Sequence, residues 1–355
     1  MPAKLQFVVM SSGEDNRILS QLVDALAPWP VLIHQDASRV RPPLPSVIAS
    51  QVQWVRPARA TGWGDWGFAS AILQSITQAL RERPFDYLQL LSPSCLPIRP
   101  ISDLIAHVSQ GTQDHHVDAF ALDRDRDTRM SFAWRAYAPT ASERQKLLSR
   151  LRRWYFGHEP ELEQQLSMSV MHRRQEAMGV DALRAAAAVA MTRALASNRR
   201  WFGPGTTRQT TLRPQDPAMN PPDCAVGSVW FGARRSVCER MVQMAASSDF
   251  RARFESLTMV DELLIPTLLM HAGREPGPSN HSVSPFDDEG HPVVMDPTQL
   301  KRAQASGRFF ARKFRAIPDD ACRLTALEWA GCRSEALGSQ GEMPLMRETQ
   351  VNLMH

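Results

Sequence analysis

Leu5-Gln6-Phe7-Val8-Val9-Met10 opens the chain as a short apolar run that stops at a polar turn, Ser11-Ser12-Gly13. Ile18, Leu19, Leu22, Val23 and Leu26 then recur at helical spacing, and Pro28 and Pro30 close that helix. Val31-Leu32-Ile33 is a second apolar run, ending in His34-Gln35-Asp36. Outward from this unit, Val52, Trp54 and Val55 suggest a third short strand and Ala69 to Leu80 an amphipathic helix. Tyr87-Leu88-Gln89-Leu90-Leu91 makes a fourth strand that breaks at Ser92-Pro93. This alternation predicts an α/β fold with a mostly parallel sheet and helices on both faces. In such sheets ligands bind beyond the carboxyl ends of the strands. The polar strand ends, His34 to Asp36 and Ser92 to Arg99, are therefore site candidates by position.

At 355 residues the chain can bury one large α/β core or two smaller ones. Apolar residues make up 43% and charged residues 22%, as in an ordinary globular protein. A net charge of +4 suits anionic small molecules or a membrane surface and is too weak to argue for nucleic acid. No apolar run approaches the roughly 18 residues of a membrane span, and no secretory signal or Golgi-type anchor is visible. The five cysteines, Cys95, Cys224, Cys238, Cys322 and Cys332, have neither zinc-site nor disulfide-framework spacing. A reducing cytoplasm is the expected compartment.

The middle of the chain changes character. From about Ala141 to Asn198 it is almost wholly helix-forming, with cationic flanks at Arg150, Arg152, Arg153, Arg173, Arg174, Arg199 and Arg200. It reads as an insertion with a solvated basic face, or as a lid or surface that recruits an anionic acceptor or lipid. The expected organisation is an α/β half over 1–140, a helical insertion over 141–205, a second half of the same domain over 206–330, and a tail over 331–355.

Three blocks in the second half carry chemistry. In Phe309-Phe310-Ala311-Arg312-Lys313-Phe314 two adjacent cations are bracketed by aromatic residues. That pattern fits cations held at an apolar wall facing a doubly negative group such as a nucleotide diphosphate, and it also fits a surface ion pair on an amphipathic segment. In Gly227-Ser228-Val229-Trp230-Phe231-Gly232, a strand with Gly and Ser beside Trp would bring backbone close to a ligand and offer a flat wall to a ring. In Val260-Asp261-Glu262-Leu263-Leu264-Ile265, two carboxylates open an apolar helix. They complement the helix dipole, and a glutamate at the mouth of an apolar pocket can also serve as a general base.

Read in order, these blocks resemble the family of core-2/I-branching N-acetylglucosaminyltransferases and peptide O-xylosyltransferases. The matching landmarks are the opening strand and helix, His34-Gln35-Asp36, Trp63-Gly64, YLQLLSPSCLPIR over 87–99, GSVWF over 227–231, DELLIPTLL over 261–269 and FFARKF over 309–314. The likeness implies a GT-A type, Rossmann-like fold and inverting, metal-independent transfer of a sugar, GlcNAc or xylose, from a UDP donor to a hydroxyl. It implies Glu262 as base, with Asp36, Trp63, Gly64, Arg312 and Lys313 on the donor. Gly227, Ser228, Trp230 and Asp261 would line the sugar and acceptor region. No metal or other cofactor is implied.

Departures accompany the resemblance. The family usually carries an acidic residue where this chain has Cys95, and some members place an extra arginine where this chain has Asp288-Glu289-Gly290-His291, with His291 a partial substitute. Asp123-Arg124-Asp125-Arg126-Asp127 looks like a metal motif, but each Asp has an Arg neighbour, as in a salt-bridged strand end. The expected acceptor is a glycan, lipid-linked or peptide hydroxyl in bacterial surface-glycan synthesis, with peripheral contact at the inner face of the membrane through the basic insertion. The rival class is a non-catalytic glycan- or nucleotide-sugar-binding protein that keeps the fold.

Overall fold

The computed structural model describes residues 2–41, 43–62, 64–121, 224–254, 260–285 and 292–332. Strand β1 is Leu5–Ser11, helix α1 Asn16–Ala25, β2 Val31–Gln35, the single turn α2 Ser46–Ala49, β3 Val52–Trp54, α3 Trp66–Glu82 and β4 Tyr87–Leu91. The four strands run parallel in the order β3-β2-β1-β4, with Val9 opposite Ile33 on one side and Leu91 on the other. The order reverses between β1 and β4, beside the strand ends Ser11 and Leu91, and at such a reversal open α/β sheets bind their ligands.

Strand β1 is buried throughout because both faces are covered. Phe7 and Val9 point into one core with Leu19, Leu22, Ile33 and Leu104, while Val8 and Met10 point into another with Leu32, Ile72, Leu90 and Leu264. That division follows from the two-residue period of a strand. Strand β5, Leu96–Pro97, α4, Ile101–Gln110, β6, His115–His116, and β7, Ala119–Ala121, complete the first described half.

The second half supplies β8, Ala225–Gly227, β9, Gly232–Arg234, α5, Arg235–Ala245, α6, Ser248–Phe254, α7, Asp261–Ala272, and β10, Pro276–Gly277. Beyond these come β11, His281–Val283, α8, Pro297–Ala305, β12, Phe310–Arg312, and α9, Ala321–Trp329. The main sheet continues past β4 as β9-β6-β10, so strands from both halves share it. It is mostly parallel, as expected, and mixed only through β9, which runs antiparallel to β4 and to β6. Gly232 pairs with Gln89 and Arg234 with Tyr87, so the chain enters β9 from the carboxyl end of β4.

GSVWFG is not one strand. Gly227 ends β8, which pairs with β7 in a separate two-stranded sheet, and Gly232 begins β9 in the main sheet. The four residues between them turn the chain from one sheet to the other. A third small sheet, β11-β12-β5, carries the FFARKF block on its middle strand. The five cysteines are free thiols. Among the described residues no helix is long and apolar enough to cross a membrane. The helical insertion, Trp63, the 123–127 acidic run, His291 and the tail beyond 332 lie outside the described residues.

Candidate functional site

Two loops meet beyond the end of β4. The first is the turn Ser92 to Cys95, closed by the Cys95 N–H on the Ser92 carbonyl at 2.8 Å. The second is the entry to β9, held where the Leu90 N–H donates to the Phe231 carbonyl at 2.9 Å. Trp230, just before that anchor, therefore stands over the carboxyl edge of the sheet. Its own N–H donates to Ser228 Oγ at 3.1 Å, so the Ser228 hydroxyl shapes the turn that presents the indole.

Strand β12 brings Arg312 to the same place. Ala311 lies opposite Leu96 in the antiparallel pairing with β5, and opposite Ser282 in the parallel pairing with β11. The Arg312 guanidinium carbon sits 4.4 Å from the centroid of the Trp230 ring. This is a cation–π stack at the range where the interaction contributes about 0.5–2 kcal/mol. The side chain is half-buried, and its Nε is sealed from solvent with no hydrogen-bond partner among the described residues. Burial holds this guanidinium below the ordinary arginine range, while Cys95 and the Glu262 carboxylate act in the opposite direction. Glu262 and Arg312, 50 positions apart in sequence, thus share one electrostatic neighbourhood.

Lys313 follows at the strand end, half-buried. Its N–H donates to Ser284 Oγ at 3.3 Å and its carbonyl accepts from the Met295 N–H at 2.9 Å. The Ser284 N–H donates to the Arg312 carbonyl at 2.6 Å, and the Phe314 N–H to the Ser94 carbonyl at 3.0 Å. Both cations therefore sit on backbone pinned from several sides. Nothing in the sequence around Ser284 or Ser94 signalled that work.

Asp261 and Glu262 open α7, where a negative charge complements the helix dipole. Asp261 is buried and Glu262 half-exposed. The helix is apolar on all sides because it lies between α3, α5 and β8. Thr267 ties it to β8, its Oγ1 accepting from the Ala225 N–H at 3.0 Å. Pro266 lacks the N–H that would reach back to the Glu262 carbonyl, which thins the hydrogen bonding of the first turn.

Asp36 stands just past β2 at the same edge of the sheet. It is buried, and its carboxylate accepts from the Ser38 N–H and Ser38 Oγ at 2.8 Å each and from Thr61 Oγ1 at 2.7 Å. Burial acts to raise its pKa, but these donors prevail and bring it down to about 2. The first work of this carboxylate is thus to join the end of β2 to the loop before α3. Gly64 adopts φ +67°, a left-handed conformation that suits glycine, in the turn leading to the Asp65 cap of α3. Gly227 makes the close backbone approach expected of it, but to its own chain: a Cβ there would lie 2.1 Å from the Asp118 carbonyl oxygen.

Two further polar groups stand nearby, Gln35 in a strand end already marked by position and His281, which sequence reading did not single out. The Gln35 side chain is buried at the end of β2, its Oε1 accepting from Ser11 Oγ at 2.8 Å. His281 on β11 is buried against Phe310, ring centroids 5.4 Å apart, with neither ring nitrogen hydrogen-bonded among the described residues. Burial, then the charges of Arg312 and Arg308, pull its pKa down to about 3. Among the described residues no group of three or more His, Cys, Asp and Glu side chains is placed to hold a metal ion. No protein-family model matches this chain, and no curated protein matches it.

Proposed function

We propose that this chain is an inverting glycosyltransferase of GT-A type that moves a sugar, GlcNAc or xylose, from a UDP donor to a hydroxyl acceptor without a metal ion. One observation carries the reading. A guanidinium stacked on Trp230, its Nε–H without a partner among the described residues, lies within electrostatic reach of Glu262 at the carboxyl end of the parallel strands. The part of this half-buried side chain that is exposed can offer charge-assisted hydrogen bonds to an anionic ligand.

In the proposed reaction the Glu262 carboxylate takes the proton of the acceptor hydroxyl as its oxygen attacks the anomeric carbon. The bond from that carbon to the diphosphate oxygen breaks on the opposite face, and its electrons leave with UDP. Arg312 and Lys313 stabilise the charge that grows on the leaving group, as preorganised donors do. Asp36 and Gly64 border the donor side, and Ser228 and Trp230 the sugar side. The acceptor is proposed to be a glycan, lipid-linked or peptide hydroxyl. A thermal-shift screen against UDP-sugars, followed by transfer assays in chelator, tests the reading. A UDP-sugar that raises Tm and is turned over supports it. Binding without transfer or hydrolysis favours a glycan- or nucleotide-sugar-binding role, and no binding removes the donor site altogether.

A further inference from the structure

The loops that follow β2 and β3 leave the same edge of the sheet, because the two strands run parallel. Hydrogen bonds hold them side by side. The Ala37 N–H donates to the Arg59 carbonyl at 3.0 Å, and Thr61 Oγ1 to the Asp36 carboxylate at 2.7 Å. The Arg59 N–H donates to His34 Nε2 at 3.1 Å and the Arg56 N–H to Gln78 Oε1 at 2.9 Å. Together the loops carry Arg39, Arg41, Arg56 and Arg59, all exposed. From Ala37 to Gly64 the chain has these arginines and no Asp, Glu or Lys. None of the four guanidinium groups has a carboxylate partner among the described residues. Asp36 and Asp65, at this edge, accept instead from Ser38 and Thr61 and from Gly62 and Phe68.

The first loop also carries Val40, 90% exposed and the most exposed large apolar side chain among the described residues. A lone exposed valine is ordinary, but between two arginines it decides which anionic partner fits. Arginine forks pair with phosphate, and an apolar tip between them gains only where phosphates border hydrocarbon, as in a lipid headgroup layer. Next to Val40, the Arg41 guanidinium carbon lies 4.4 Å from the centroid of the half-buried Trp54 ring, on edge strand β3. A single-stranded nucleic acid would stack its bases on an open aromatic face, and Arg41 already covers this one.

We propose that this edge of the sheet docks on an anionic lipid membrane, with Arg39, Arg41, Arg56 and Arg59 on headgroup phosphates and Val40 at the acyl boundary. The surface belongs to the α/β half of the chain and not to the basic insertion that the charge pattern suggests for such contact. The proposal stands whether or not the chain takes a UDP-sugar. Because Asp36 joins the two loops, docking would bring the carboxyl edge of the sheet to the membrane, a placement that suits a lipid-linked acceptor.

The experiment is sedimentation of the full chain with phosphatidylcholine vesicles, with and without phosphatidylglycerol. The wild type is expected to bind only the anionic vesicles and to be released by salt. Each arginine near a charged surface contributes about fivefold in affinity. Arg39→Gln with Arg41→Gln, and Arg56→Gln with Arg59→Gln, should therefore each bind roughly 25-fold more weakly. Val40→Ser leaves the charge intact and should lose at least about threefold. Lys301→Gln with Arg302→Gln, the same charge loss on exposed residues of α8, should stay within about twofold of wild type. An arginine pair that melts like the wild type and binds vesicles as well overturns the proposal. So does an equal loss in the α8 pair, which would make net charge the cause. A wild type that ignores anionic vesicles overturns it too, in favour of nucleic acid if these arginines hold a single-stranded oligonucleotide. If the variant that removes Arg41 from Trp54 does not melt cooperatively, the Arg56 and Arg59 pair decides. UDP affinity, measured in parallel, reports on the donor site separately.

Discussion

The guanidinium carbon of Arg312 lies 4.4 Å from the centroid of the Trp230 ring, although the two residues are carried by chain segments of different sheets. Trp230 leads into β9 of the main sheet and Arg312 ends β12 of the small one, and both converge on the carboxyl end of β4. Arg312→Lys keeps the charge but removes the planar fork and the stack. It is expected to weaken UDP binding by roughly 10- to 100-fold, from loss of a charge-assisted hydrogen bond and the cation–π contact. Calorimetry with UDP measures this, and wild-type affinity in Arg312→Lys would take Arg312 out of the donor site.

Glu262→Gln preserves size and hydrogen bonding while removing the base. Transfer should fall by about 10²–10⁴ in kcat. UDP affinity should hold or rise, since a charge that draws on Arg312 is gone. Single-turnover assays with saturating donor separate the two effects, and unchanged turnover would remove Glu262 from the mechanism.

Gly227→Ala tests the turn that aims Trp230. Its Cβ would meet the Asp118 carbonyl, the same oxygen that accepts from the Ser228 N–H at 2.8 Å. Forcing those backbones apart costs about 1–3 kcal/mol. A lower Tm together with weaker UDP binding is the expected pair of results. A melting point equal to wild type would mean that the two strands separate without cost.

Acid should destabilise the fold through buried histidines. Asn280 Nδ2 donates to the Tyr87 hydroxyl oxygen at 2.8 Å, so the single Tyr87 proton points to His116 Nδ1 at 2.7 Å. That leaves neutral His116 with a proton on Nε2, directed at His107 Nε2 3.2 Å away. Burial, then the neighbouring His107, His115 and Arg234, lower the His116 pKa from 6.5 to about 4. The unfolded chain binds this proton near pH 6.5 and the native state only near pH 4. Stability is therefore complete above 6.5, falls as the pH drops from 6.5 to 4, and levels off below. The loss is on the order of 3 kcal/mol for His116. The window for His281 extends to about pH 3. Urea titrations at pH 8 and pH 4.5 measure the slope, which should be flatter in His116→Gln. An identical slope in that variant would show that the proton is taken up elsewhere.

Much of the first half was legible in the chain. Tyr87–Leu91 is a strand with the bounds its apolar run gave, and the spacing of Ile18 to Leu26 and of Ala69 to Leu80 marked two helices, Asn16–Ala25 and Trp66–Glu82, to within three residues at each end. Those elements are fixed by periodic burial against a sheet covered on both faces, a local signal. The GSVWFG segment was misread as one strand because aromatic and β-branched residues favour extended backbone wherever they sit. Only the partners on either side, β7 for Gly227 and β4 for Gly232, divide it in two.

Sequence alone determined which residues could carry charge into an apolar setting: Arg312, Lys313 and Glu262 stand out because ionic side chains among Phe and Leu are costly unless something offsets them. It could not determine which of them meet. The stack of Arg312 on Trp230 and the engagement of Asp36 by Ser38 and Thr61 were decided by strand register and by the side from which each strand enters its sheet. Register is set by pairing between segments up to about 200 residues apart, and no local pattern encodes which partner a strand will find.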